Sequence, residues 1–248
     1  MRADIPNASP IPMSGHYRQH DLAPGQSLLC RWEYVQGTRA TPALVLPDAC
    51  VDLLWDGARL SIAGPDTHAQ YADIAPGARV QGLRFAPAAA ARWLGVPLHA
   101  LADQRVDLRD LGRAGFATLA ERMAEHDGDA MAWLAGRILA DGPPRVDAMR
   151  VVHARLSHAF PDSVAQLARD LGISERTLLR RCDETFGYGP KRLSRILRLQ
   201  RFLDLQRMRP SLLDAALEAG YYDAAQLAGD ARRLTGLTPT ALVAQVAG

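Results

Sequence analysis

The stretch LARDLGISERTLLRRCDETFGYGPKRLSRILRLQRFL, residues 167–203, decides the fold, because a second copy follows it as AALEAGYYDAAQLAGDARRLTGLTP, residues 215–239. In the first copy Val164, Leu167, Ala168 and Leu171 recur at the steps of one helical face, and Gly172 follows. In the second, Leu212, Ala215, Ala216 and Ala219 recur at the same steps before Gly220. Gly172 and Gly220 are 48 residues apart, whereas Gly187 and Gly236, like Pro190 and Pro239, are 49 apart. The second copy has gained one residue in its turn. Two helices that cross steeply need a small residue at closest approach, here Ala168 and Ala216. The turn needs a residue that accepts positive φ, here Gly172 and Gly220, and Ile173 or Tyr221 then plugs the corner. One such unit is any helical hairpin; two in register, joined by a long helix, predict tandem helix-turn-helix units.

The second helix of the first copy divides by face. Leu178, Cys182, Thr185 and Phe186 fall on the inward side, and Arg176, Leu179, Arg180 and Asp183 on the opposite one. That outward face suits a major groove, with Arg176 and Arg180 able to reach guanine O6/N7 or phosphate. The same pattern also describes a solvated surface helix, and the duplication is what favours DNA. The connecting helix places Arg192, Arg195, Arg198 and Arg201 at successive steps of three. Lys191, Arg192 and Arg195 are its candidates for backbone phosphates; some arginines of this ladder meet phosphates and others pair within the protein, and one or two phosphate contacts are expected.

Working outward, helices are expected over 145–159, 164–171, 175–186, 190–208, 212–219, 224–234 and 240–246. Ser163, Ser174, Ser211, Asp223 and Thr238 stand where an N-cap oxygen is needed. Asp141-Gly142-Pro143-Pro144 breaks the chain upstream. The expected division is therefore a sensor or dimerisation region over 1–142 and a DNA-binding domain over 143–248. In the first region short β-type runs at 28–35, 43–46, 51–55, 59–63, 69–74 and 79–85 alternate with Gly/Pro punctuation. Helical stretches follow from Pro87 and at 108–126 and 129–140. The fold class is α+β: a small β barrel or sandwich with helices after it, then an all-α domain of two helix-turn-helix units.

Composition narrows the function. A 48% hydrophobic and 23% charged content is that of a folded globular chain, and no apolar run is long enough for a membrane helix. The polar, Pro-rich N-terminus over 1–21 does not read as a secretion signal and is expected to fray. Cys30, Cys50 and Cys182 form no paired or metal-binding spacing, which fits a reducing cytoplasm. Residues 1–149 carry 14 basic against 17 acidic side chains, whereas 150–248 carry 15 against 10. The His residues show no ligand spacing apart from His16/His20, and no nucleophile–base pattern emerges. No metal, cofactor or catalytic residue is expected, and an enzyme is disfavoured.

The two quoted stretches resemble the AraC/XylS family of transcription activators, and the likeness covers roughly residues 145–246. It implies that the second helix of each copy reads successive major-groove segments. Carried over, the first reading head comprises Ser174, Arg176, Thr177, Leu179 and Arg180. The second falls on Ala224, Ala225, Gln226, Ala228, Gly229 and Arg232, where the family more often has a polar string. The second head therefore has little with which to read bases, and the first is expected to dominate specificity. The resemblance also implies promoter operator DNA and RNA polymerase as partners, with a homodimer and a small-molecule effector consistent with it. LVLPDACVDLLW (44–55), IAGPDT (62–67) and GLRFAPAAAARWLGVP (82–97) resemble the sensor-like region of one branch of such regulators. There Trp32, Tyr34, Trp55, Phe85 and Trp93 are candidates for an aromatic effector pocket, and Asp48, Asp52 and Arg84 for its polar contacts. The same residues also serve as core, turn and cap. The weak second head leaves one rival open: a regulator that works mainly through protein contacts and binds DNA poorly by itself.

Overall fold

The computed structural model describes residues 15–38, 42–142, 148–208 and 211–247. Its strands are β1 (Gly15–Asp21), β2 (Leu28–Gln36), β3 (Ala43–Val45), β4 (Asp52–Trp55), β5 (Leu60–Ala63), β6 (Gln70–Ala72), β7 (Arg79–Phe85) and β8 (Arg105–Asp107). Six of them make one antiparallel sheet in the order β1-β2-β7-β4-β5-β8, while β3 and β6 pair separately as a two-stranded ribbon.

Alternation along the strands gives the sheet two faces of different use. Leu53, Trp55, Leu60, Ile62, Leu83 and Phe85 point to one face. There they pack with residues of α1 (Ala89–Leu94), α2 (Phe116–Ala124) and α3 (Ala130–Ala140), among them Leu94, Met123, Met131 and Leu134. Arg31 on β2 pairs with Asp129, the N-cap of α3, and fastens this layer. Cys30, Trp32 and Tyr34 point to the other face with Leu54 and Val80. A register shift between Leu28 and Cys30 lets the start of β2 serve the helical side and the rest the opposite one.

The C-terminal region is helical throughout: α4 (Ala148–Leu156), α5 (Val164–Asp170), α6 (Glu175–Phe186), α7 (Pro190–Gln206), α8 (Leu212–Ala219), α9 (Ala224–Thr235) and α10 (Pro239–Ala247). Val152, Leu167, Leu178, Phe186, Leu193, Phe202, Ala216, Leu227 and Leu234 share one apolar core. All five expected caps form: Ser163, Ser174, Ser211, Asp223 and Thr238 accept from the backbone N–H three residues on. Gly220 has φ 96°, and a Cβ there would lie 1.8 Å from the Ala159 carbonyl oxygen, so both backbone conformation and space demand glycine. Gly172 has φ 64° in open space and is needed for its conformation alone.

The two regions share a core. Leu44 of β3 is fully buried among the C-terminal helices together with Leu46. Ala69 N–H donates to the Leu234 carbonyl at 2.6 Å, and Gln200 Nε2 donates to the Pro47 carbonyl at 2.7 Å.

Several expectations need correction. Residues 15–21 are an edge strand, not a frayed terminus; residues 1–14 lie outside the described residues. Residues 108–126 are not one helix. A short turn at Leu108–Leu111 is followed by Gly112 and Gly115, both at positive φ, before α2 begins. β8 was not anticipated, and β6 is shorter than the expected 69–74. Pro143, Pro144 and the expected helix start at 145 lie outside the described residues. His16 and His20 sit on a strand, where a separation of four residues spans about 13 Å, too far for one metal ion.

Candidate nucleic-acid interface and cavity

Helix α6 starts on the Ser174 cap, whose Oγ accepts from Thr177 N–H at 3.1 Å and lies 2.9 Å from Thr177 Oγ1. These two side chains fix the helix start. Leu178, Cys182 and Phe186 are buried, while Arg176, Leu179 and Arg180 are exposed, as the wheel requires. Arg180 Nη1 donates to Glu184 Oε1 at 2.7 Å, one turn away. Exposed pairs of this kind contribute little, so Arg180 can exchange Glu184 for a DNA acceptor at small cost. Arg176, Thr177, Arg180, Asp183 and Glu184 line a shallow groove, and its further wall is His99 from the N-terminal region. The C-terminal end of α6 abuts the same region: a Cβ on Gly187 would lie 2.4 Å from Pro65 Cγ.

Helix α9 superposes in sequence on α6 with an offset of 49, so Ala225, Ala228 and Gly229 occupy the places of Arg176, Leu179 and Arg180. Ala224, Ala225 and Gly229 are exposed and Ala228 is half-buried. Gln226 is committed to the helix start, where its Oε1 accepts from Tyr222 N–H at 2.9 Å. Arg232 and Arg233 remain exposed in the last turn.

One residue of α9 escaped the sequence reading. Asp230 is buried and clamped by two arginines of α7, Arg195 Nε at 2.9 Å and Arg198 Nη2 at 2.9 Å. Arg198 also lies over the Tyr221 ring, 4.7 Å from its centroid. Of the expected phosphate contacts, Arg195 is half-buried with its Nε in this internal ion pair, and Lys191 and Arg192 are exposed. The signal was an acid on the buried stripe of α9 opposite an arginine ladder. Its position between Leu227 and Ala231 on that stripe, rather than its type, is what could have marked it as buried.

Between the sheet and the β3–β6 ribbon lies a cavity of about 220 Å³. It brings together Trp32, Tyr34, Asp48, Asp52 and Arg84 of the expected pocket, and adds Asp66, Arg105 and Cys50. Trp55, Phe85 and Trp93 do not join them. Trp55 and Phe85 point to the helical side, and Trp93 stacks there on Phe116 at 5.1 Å between centroids. Neighbours on a strand face opposite ways, so Arg84 and Phe85 cannot share a pocket.

The cavity's polar end is an ion network. Arg84 Nε and Nη2 donate to the two Asp52 oxygens at 3.0 and 2.9 Å, and the same Nη2 is 3.1 Å from Asp48 Oδ2. Arg105 holds both Asp66 oxygens at 2.9 and 2.8 Å. Burial pushes the Asp48 carboxyl up to about 6, although Arg84 pulls it down. Burial also raises the Cys50 thiol well above its ordinary value and Cys30 to about 12, so both remain protonated.

Residues 167–245 match the family model described as a helix-turn-helix domain, and residues 26–107 match that of the domain of unknown function DUF6597. The C-terminal region is an AraC-type helix-turn-helix domain. The AraC-type domain thus follows a DUF6597 region, which holds the ribbon and every strand of the sheet except β1. Among curated proteins none matches the chain in sequence. Solved structures similar to this chain include ToxT from Vibrio cholerae O395, at 10% identity over 95% of this chain and 99% of that one, with a TM-score of 0.45. Unsaturated fatty acid-bound wild-type ToxT from Vibrio cholerae strain SCE256 is 9% identical over 93% of this chain and 95% of that one, with a TM-score of 0.44. Likeness of that degree says nothing of what this chain binds. Among the described residues no helix is long and apolar enough to cross a membrane, and no cluster of three or more ligating side chains occurs.

Proposed function

We propose that this chain is a sequence-specific, DNA-binding transcription regulator of the cytoplasm, divided at residues 142/143 into a sensor region and a DNA-binding domain. The observation that carries this reading is the paired helix-turn-helix geometry with Arg176 and Arg180 exposed on the outward face of α6. In this reading Arg176 and Arg180 contact bases, Ser174 and Thr177 shape the helix start, and Leu179 touches a thymine methyl. Lys191 and Arg192 meet phosphates, and α9 positions the domain through Ala224, Ala225, Ala228, Gly229 and Arg232. The partners are promoter DNA and RNA polymerase, with no catalytic step.

The ribbon supports a regulated protein. Ala43 and Val45 face the cavity, whereas Leu44 between them sits in the core of the DNA-binding domain. A molecule that shifts the ribbon therefore acts on α7 and α9, to which Gln200 and Leu234 tie this region. His99 beside the reading face gives the same region a direct hold on access to the groove. Gel shifts with DNA from upstream of its own coding sequence, over a range of salt, test the reading: affinity falls linearly with the logarithm of salt concentration. Failure to retain any duplex at low salt contradicts it. Regulation mainly through protein contacts is the second reading, favoured by Leu213 and Leu217, exposed one turn apart on α8 at 49% and 46%. Loss of activation with full DNA binding in Leu213→Ser/Leu217→Ser would favour that one.

A further inference from the structure

Among the described residues, the lining of the cavity under the β3–β6 ribbon is short of one positive charge. Asp48, Asp52 and Asp66 face two guanidiniums, Arg84 and Arg105, and both are already held in two-point contacts with Asp52 and Asp66. Among the described residues, Asp48 has an edge contact with Arg84, shared with Asp52, and the Cys50 N–H at 2.8 Å. A carboxylate accepts about four hydrogen bonds, so Asp48 retains capacity toward the cavity. In the wall stands a buried donor without a partner. Trp32 is 6% exposed, and its indole Nε1 has no hydrogen-bond partner among the described residues. Its ring lies flat across Gly82, where a Cβ would come within 2.1 Å of Cε2, so glycine is what gives this indole its place beside the cavity. A buried donor left without an acceptor loses its hydration with nothing in return, and a ligand acceptor would restore that bond.

From this arrangement we infer that the cavity binds a small organic amine, with its ammonium on Asp48, a compact ring in the apolar space, and an acceptor for the Trp32 N–H. Size sets the limit. A cavity of about 150 Å³ holds a benzene ring, so about 220 Å³ holds one ring with a short arm. Ala43, Val45, Leu54, Ile74 and Val80 supply the apolar lining. A carboxylate ligand would bring a fourth negative charge to a site whose cations are both engaged, and such like-charge crowding is unfavourable.

The inference deepens the reading of the N-terminal region as a sensor, and its test does not depend on DNA. Calorimetry on the full chain with three probes of one shape isolates the head group: tyramine, tyrosol and 3-(4-hydroxyphenyl)propionate. Tyramine binds tightest and the acid weakest. Asp48→Asn, which keeps the acceptor for Cys50 N–H, weakens tyramine by about 10- to 100-fold while leaving tyrosol within about threefold. Trp32→Phe weakens tyramine and tyrosol alike, by about three- to tenfold. Equal or tighter binding of the acid, an unchanged tyramine affinity in Asp48→Asn, or no binding of any of the three overturns the inference. Gel shifts without a ligand judge the DNA-binding reading separately.

Discussion

The two helix-turn-helix copies have one architecture and different surfaces. On α6 the outward positions are Arg176, Leu179 and Arg180; on α9 the equivalent positions are Ala225, Ala228 and Gly229. The inward positions tell the opposite story. α9 carries a buried Asp230 that grips Arg195 and Arg198 of the connecting helix, while the equivalent Arg181 on α6 is exposed. In the proposed reading the first copy keeps its charge on the side offered to DNA, and the second spends it on holding the domain together. Duplication supplies two equivalent scaffolds, and the side chains assign one to reading and the other to support.

The largest effect that would break this comparison is on stability. Asp230→Ala leaves two partly buried guanidiniums without their carboxylate and lowers unfolding free energy by about 3 kcal/mol, whereas Arg181→Ala changes it by less than about 0.5 kcal/mol. Chemical denaturation of both variants measures the difference; equal losses would mean that the copies carry equal structural weight.

Acid exposes a second asymmetry. His153 of α4 packs against Phe186 at the end of α6, 6.0 Å between ring centroids, and burial holds its pKa down at about 4. The unfolded chain binds that proton near the ordinary 6.5, so the neutral imidazole's contribution is complete above about 6.5 and is lost progressively down to about 4. The loss is about 3 kcal/mol at most. Melting curves of the protein and of His153→Leu, compared from pH 7.5 to 4, show a steeper decline in the protein carrying His153. Parallel declines would remove His153 as the cause.

These features differ in how visibly they were written in the sequence. The helical domain was legible because Gly, Pro and the four-residue apolar sets recur at fixed offsets. Edge strand β1 was not, since His16, Arg18 and His20 alternate with half-buried Tyr17 and Gln19 and leave no apolar signal. Trp55, Phe85 and Trp93 suggest one aromatic pocket by type, but strand parity and α1 put them on the helical side. Asp52 and Trp55 are three residues apart, an odd step, and parity alone sends them to opposite faces. Asp230 reads as a surface acid until α7 is folded against it. The cavity depends on a ribbon of two three-residue strands, too short to announce their pairing.

Smaller effects sharpen the contrast. Gly229 is helical and exposed, with nothing within 4 Å of an added Cβ, so Gly229→Ala stabilises by about 1 kcal/mol. A destabilised variant in thermal melts would show that the backbone there needs glycine. Lys191→Ala reduces the slope of log affinity against log salt by about 1 without changing sequence preference; an altered preference would make Lys191 a base reader.

The central claim is that α6 reads and α9 supports. It is tested most directly by selecting a preferred duplex from random sequence, then measuring the affinity of Arg180→Ala and Gly229→Ala for it and for its single-base variants. Arg180→Ala loses about 1–3 kcal/mol and becomes indifferent to one base pair, while Gly229→Ala binds as tightly as the unaltered chain with the same preferences. Weakened or relaxed recognition in Gly229→Ala, with Arg180→Ala unchanged, would contradict the account.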